Sequence, residues 1–283
     1  MSDLPADLLV WWLTLCIVSL VNIGLLILFW SAHLKRTSDR GQEAYQLQRR
    51  LLWLSTFFVL GCAFRSFLPR ADVQRITLVD TWFSSILVGR TVATIAELCF
   101  VAQWAILLNA FARPAQLNGI VTFSRLIFPA ILVAEVFSWL GVLTTNNFWH
   151  VLEESIWGTC EIGLTISAVI MWRRYQGPVK RFLGWMAVCG AIYVIYMFTL
   201  DIPTYYSRWR LDQLSGKIYT GLGEGLTNLA FHWTTTHNPQ AWQGEFVWMV
   251  IYFSLAVWVS LAFTQAPLDK VEEDLAFSQK SPA

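Results

Sequence analysis

Charge is scarce in this chain. Only 14% of its 283 residues are Asp, Glu, Lys or Arg, and mean hydropathy is +0.50. A soluble domain carries about 25% charged residues, so the deficit excludes an ordinary soluble globule. The two signs nearly cancel, at +1 overall, which leaves no electrostatic basis for a nucleic-acid partner. Lysine is rarer still: Lys35, Lys180, Lys217, Lys270 and Lys280 all fall outside the apolar runs. A retinal protein needs a Schiff-base lysine inside its bundle, so that class is set aside. Histidine is represented by four residues, none expected in the interior of a span, which removes a bis-histidine haem bundle. There is no Gly-rich phosphate loop and no GxSxG elbow. The five cysteines (Cys16, Cys62, Cys99, Cys160, Cys189) sit in five different apolar runs without a CxxC pair, and read as small buried hydrophobes. No basic stretch precedes the first apolar run at Leu8, so that run reads as a span and not as a signal peptide.

What the chain has instead is long apolar runs. Seven are long enough to cross a bilayer, at roughly 8–31, 51–68, 83–112, 118–143, 150–172, 182–202 and 246–265. The fold class is therefore all-α, a polytopic bundle of about seven transmembrane helices forming one integral membrane domain, with 266–283 as a polar tail. No internal repeat is visible. Lys35, Arg36, Arg40, Arg49 and Arg50 follow the first run, Arg113 and Arg125 lie between the third and fourth, and Arg173, Arg174, Lys180 and Arg181 between the fifth and sixth. The positive-inside rule then puts the N-terminus outside and the C-terminus in the cytoplasm. Tryptophans near the span edges, among them Trp11, Trp139 and Trp248, fit an aromatic belt, whereas Trp104, Trp157 and Trp258 lie deeper.

Against that background, seven charged residues within or at the edges of the spans stand out: Arg65, Arg90, Glu97, Glu135, Glu154, Glu161 and Asp201. Each costs about 2.5–3.5 kcal/mol at a bilayer centre. Left unpaired, together they would outweigh a typical net stability of about 5–15 kcal/mol. They must be paired, protonated or facing a wet cavity. Counted along alternating spans, all seven fall at the midplane or on the outer side. Arg90 and Glu97 are two helical turns apart and share a face, as do Glu154 and Glu161 with Trp157 between them. Two such stripes facing one another predict an outward-facing intramembrane cavity. Five acids against two arginines predict that at least one carboxyl holds a proton.

Buried carboxyls without a cofactor motif suit proton-transfer chemistry. The expectation is an enzyme acting on a lipid or isoprenoid by isomerisation, cyclisation or hydrolysis, with no cofactor. Glu97, Glu154, Glu161 and Arg90 are the catalytic candidates; Arg65, Trp104, Glu135, Trp157, Asp201, Tyr205 and Arg208 are expected around the substrate. Membrane lipids and a small hydrophobic ligand are the expected partners. A transporter or receptor using the same charges, or an assembly protein held together by them, are the alternatives. Pro203 is expected to end the sixth span. Ile218, Leu222, Leu226 and Leu229 predict an amphipathic surface helix before the seventh. His232, His237 and His150 with Glu153 form a weak zinc pattern: five-residue spacing puts the first two on different faces of a helix, and no metal is expected.

Overall fold

The computed structural model describes residues 4–35 and 42–280, the last five without their side chains. Arg36 and Arg40, counted above toward the first loop's positive charge, lie outside them. Seven helical stretches are long and apolar enough to span a membrane. They are α1 (Ala6–Lys35), α2 (Gln42–Phe67), α3 (Ile86–Ala112), α4 (Asn118–Thr144), α5 (Asn147–Trp172), a sixth built from α6 (Gly177–Tyr196) and α7 (Ile202–Leu214), and a seventh that includes α10 (Phe246–Ile251) and α11 (Val257–Phe263). Sequence neighbours pack side by side from α1 to α6, and the seventh span closes against α1, α2 and α3.

Two π turns interrupt the last two spans. Pro203 does not end the sixth helix: a π turn at Met197–Asp201 precedes it and the helix runs on to Leu214. Proline deletes a backbone donor and crowds the preceding turn; the wider turn accommodates both. A second π turn, Tyr252–Ala256, interrupts the seventh span. There Asn22 Nδ2 donates to the Phe253 carbonyl at 2.8 Å, while Trp258 Nε1 donates to Asn22 Oδ1 at 2.9 Å. A turn that loosens the regular ladder is thus satisfied from α1.

A polar knot ties the middle of the bundle. Gln103 Nε2 donates to the Leu51 carbonyl at 2.9 Å, and the Ser260 hydroxyl donates to Gln103 Oε1 at 2.7 Å and lies 3.0 Å from Ser55 Oγ. Interhelical hydrogen bonds in membranes average about 0.6 kcal/mol and reach about 1.7 kcal/mol, so the knot orients α2, α3 and α11 more than it stabilises them.

The end of the bundle where α2 finishes and α3 begins is covered by short elements. β1 (Arg70–Ala71) pairs antiparallel with β2 (Ile76–Thr77), which pairs in parallel with β3 (Thr234–Thr235). Helix α8 (Leu222–Phe231) begins later than the apolar spacing from Ile218 suggested. It sets Gly225 and Leu229 against α3 and α4, leaving Leu222 and Leu226 exposed. α9 (Pro239–Trp242) buries Trp242 against Trp11.

At the opposite end, residues expected to form a polar tail fold back as a turn at Leu268–Lys270 and α12 (Val271–Lys280). Buried Asp274 accepts from the Val179 amide at 2.9 Å, capping α6 where Gly177 adopts φ +53°. A carboxylate at a helix N-terminus meets free N–H groups and the positive end of the dipole.

Candidate functional site

Arg90 organises the site. It lies about one turn into α3, roughly 6 Å along the axis from Ile86, and is 6% exposed. Its Nη2 sits 3.1 Å from Glu97 Oε2, 2.9 Å from Glu135 Oε2 and 3.6 Å from Glu153 Oε1. α3, α4 and α5 each supply one of these carboxyls. Arg90 thus meets Glu97 on its own helical face and Glu135 from α4. Glu153 takes the place expected of its neighbour Glu154. The three carboxyls converge within 4.8 Å, as around a cation, and the positive charge at their centre is the guanidinium.

Supporting contacts fix each carboxyl. Thr94 Oγ1 donates to Glu135 Oε2 at 2.6 Å and accepts from Trp139 Nε1 at 3.1 Å. His150 Nδ1 lies 2.6 Å from Glu153 Oε2, and its ring stacks on Tyr205 at 5.0 Å between centroids. Arg208 lies over the other aromatic group in this stack, 5.6 Å from the Tyr205 ring centre. Glu97, Glu135 and Glu153 bring carboxylate oxygens within 4.8 Å of one another, and on the sixth span Tyr196 donates to Asp201 at 3.4 Å.

His150 and Glu153, read from the sequence only as part of a weak zinc pattern, belong instead to the Arg90 cluster. His150 lies one turn inside α5 and is buried, not at a span edge. Its spacing of three from Glu153 and seven from Trp157 was the available signal, because those positions share a helical face. The weak zinc pattern does not assemble. His232 pairs with Asn228, His237 lies 3.1 Å from the Leu78 carbonyl, and His150 belongs to the Arg90 cluster.

Several expected neighbours stand elsewhere. Arg65 pairs with Asp72 at 3.7 Å and lies over Trp248 and Phe253 at 6.0 and 5.9 Å. Glu161 makes no ion pair among the described residues; it lies against Thr165 and Gly190, where any larger side chain on α6 would displace its carboxyl. Trp11, Trp139 and Trp248 donate to the Phe246 carbonyl, Thr94 and Glu245 inside the fold, so they anchor the bundle as well as its edges.

Glu97, Glu154, Tyr193, Tyr205 and Tyr252 are half-buried, although groups from opposing helices surround them. Tyr252 of the seventh span faces Glu97, Cys62 and Arg65, with Tyr193 of α6 nearby, and Tyr193 is close to Glu154 and Glu161. Enclosed by opposing helices yet not fully buried, these side chains border narrow hollows between the helices. Two narrow crevices occur in this region. One has Arg65, Cys62, Glu97, Tyr252 and Phe253 in its walls; the other has Trp104, Ile131, Trp157, Cys160 and Glu161.

Outside the spans, burial perturbs Arg70 and Glu245 among other groups at this end. Arg70 is 1% exposed, donates to the Ser85 carbonyl at 2.8 Å, and is pulled down to about 10 by desolvation. Burial also raises Glu245 above the usual carboxylate range, against the indole N–H of Trp248, which favours its charged form.

Comparison with family models, curated proteins and solved structures returns no match. The functional reading therefore rests on the site itself.

Proposed function

We propose that this multi-pass membrane protein is an enzyme performing acid/base chemistry on a lipid-like substrate held in the hollow. The observation that carries this reading is the position of Glu97. It is the member of the Arg90 cluster that also walls a crevice, so an acid held by Arg90 beside Glu135 borders space a substrate can enter. Arg90 holds the carboxyl set in place and stabilises negative charge when the proton leaves. Asp201, which accepts from Tyr196 at 3.4 Å, is a second acid close to Glu154. Isomerisation, cyclisation and hydrolysis all fit such a site, because each needs a proton delivered or removed in an apolar setting. In this reading the N-terminus faces outward, the cluster lies toward the outer leaflet, and α8 lies along that surface beside the mouth.

The contiguity of the carboxyls favours a second reading. Glu153 contacts Arg90 and His150 and neighbours Glu154, so the Arg90 cluster continues through one residue toward Glu154 and Asp201. A continuous titratable path suits a proton relay coupled to transport.

One preparation separates these readings. Membranes with and without the protein are extracted and their neutral and polar lipids compared by mass spectrometry. Proteoliposomes of the same protein are followed with an internal pH dye. The enzyme reading expects a lipid consumed and an isomeric or hydrolysed product formed, without net proton movement. Dye response with unchanged lipids supports the relay, and neither signal means the charges only hold the bundle together.

A further inference from the structure

The crevice between α3, α4 and α5 is chemically unlike the Arg90 cluster. Val101, Ile127, Ile131 and Leu164 make its walls apolar, and the indoles of Trp104 and Trp157 are half-buried beside it. Two polar groups interrupt this lining. Trp104 Nε1 is buried and has no hydrogen-bond partner among the described residues. Buried indole N–H groups normally find one, and leaving a donor unsatisfied costs about 1–3 kcal/mol. The Glu161 side chain belongs to a residue 4% exposed and meets no cation among the described residues. A donor and a carboxyl without charge partners therefore border one narrow space, which has room for about one water-sized group.

We propose that this crevice binds the hydroxyl end of a neutral, apolar alcohol, of the long-chain or isoprenoid type. The ligand O–H donates to the Glu161 carboxyl and its oxygen accepts from Trp104 Nε1–H. The single hydroxyl fills the polar space, while the chain passes between the two half-buried indoles. No Lys or Arg lines the crevice, so an anionic headgroup would enter uncompensated. A pure hydrocarbon would leave the indole N–H unsatisfied. The assignment concerns binding and does not require the acid/base chemistry at Arg90.

The test uses the full chain in phosphatidylcholine nanodiscs and three photoreactive probes of equal chain length: a diazirine alcohol, the matching fatty acid and the matching alkane. Labelled peptides are mapped by mass spectrometry, with unlabelled alcohol as competitor. The expected result is labelling of α3 and α5 peptides around Trp104 and Trp157 by the alcohol, competed away by its unlabelled form. The acid and the alkane should label these peptides at least fivefold less. Trp104→Phe keeps the ring and removes the donor, so it should weaken alcohol binding about tenfold, equivalent to about 1.4 kcal/mol. Equal labelling by all three probes would overturn the proposal, leaving non-specific lipid contact. Absence of competable labelling would overturn it too, leaving a water as the occupant. The probe comparison is made on the wild-type protein, so the result stands even if a variant fails to fold.

Discussion

Arg90 and the carboxyls around it are not equivalent in what their loss should do. The guanidinium is shared by Glu97, Glu135 and Glu153. Arg90→Ala strands three buried acids, and breaking a buried ion pair costs about 3–5 kcal/mol. Thermal unfolding in nanodiscs should show that loss. Arg90→Lys should recover little of it, because one ammonium cannot reproduce the planar fork. Glu97→Gln should cost far less, since the amide keeps volume and can still donate to Glu135. Equal and small effects of Arg90→Ala and Glu97→Gln would mean that the cluster is solvated and not packed. Glu245 gives a pH-dependent counterpart outside the spans. Its carboxyl is raised in the folded state, so the folded protein binds the proton more tightly than the unfolded chain does. That contribution is complete below the unfolded value of about 4.3 and is lost as pH rises through the window above it. Glu245→Gln should therefore flatten the decline of melting temperature with rising pH in that window, and an unchanged slope would show that another group is responsible.

Among the elements, helix caps and π turns do what residue periodicity cannot announce. Asp274 caps α6 from the far side of the seventh span. Asp274→Ala should cost about 1 kcal/mol. Gly177→Ala should cost at least as much, because a left-handed φ penalises a Cβ by about 1–2 kcal/mol and the Asp274 carboxyl already occupies the space. Melting temperatures of the two variants check this, and a neutral Gly177→Ala would mean that the cap is not formed. The seven spans were legible because each carries its own apolar run, and Arg90 with Glu97 was legible because both ride on one helix. Pro203 was misread because its missing donor is absorbed by a π turn whose formation depends on the neighbouring helices. Asn22 and Gln103 gave no local signal: their partners Phe253 and Ser260 lie more than 150 residues away in sequence. Glu153 was passed over for Glu154 because adjacent glutamates face different directions, and only packing decides which one meets Arg90.

At the scale of the whole molecule, the charged groups gather at the end where α2 stops, α3 starts and the short strands lie. The opposite end is fixed by α12 under α6. Arg49, Arg50, Arg173, Arg174 and Arg181 lie toward that second end, and the proposed orientation, read from the positive-inside rule, has it face the cytoplasm. A cysteine at exposed Ser215 should then react with an impermeant maleimide in intact cells, and one at exposed Gln176 should not. The reverse pattern would turn the bundle over and place the Arg90 cluster toward the cytoplasm. The more consequential question is whether that cluster works or merely binds helices together. The direct measurement is on purified Glu97→Gln, with thermal stability and lipid conversion read in the same preparation. If the cluster is a site of acid/base chemistry, melting should stay within about 1 kcal/mol of wild type while conversion of the lipid identified with the wild-type protein is abolished. A Glu97→Gln protein that is stable and converts that lipid at the wild-type rate would contradict it.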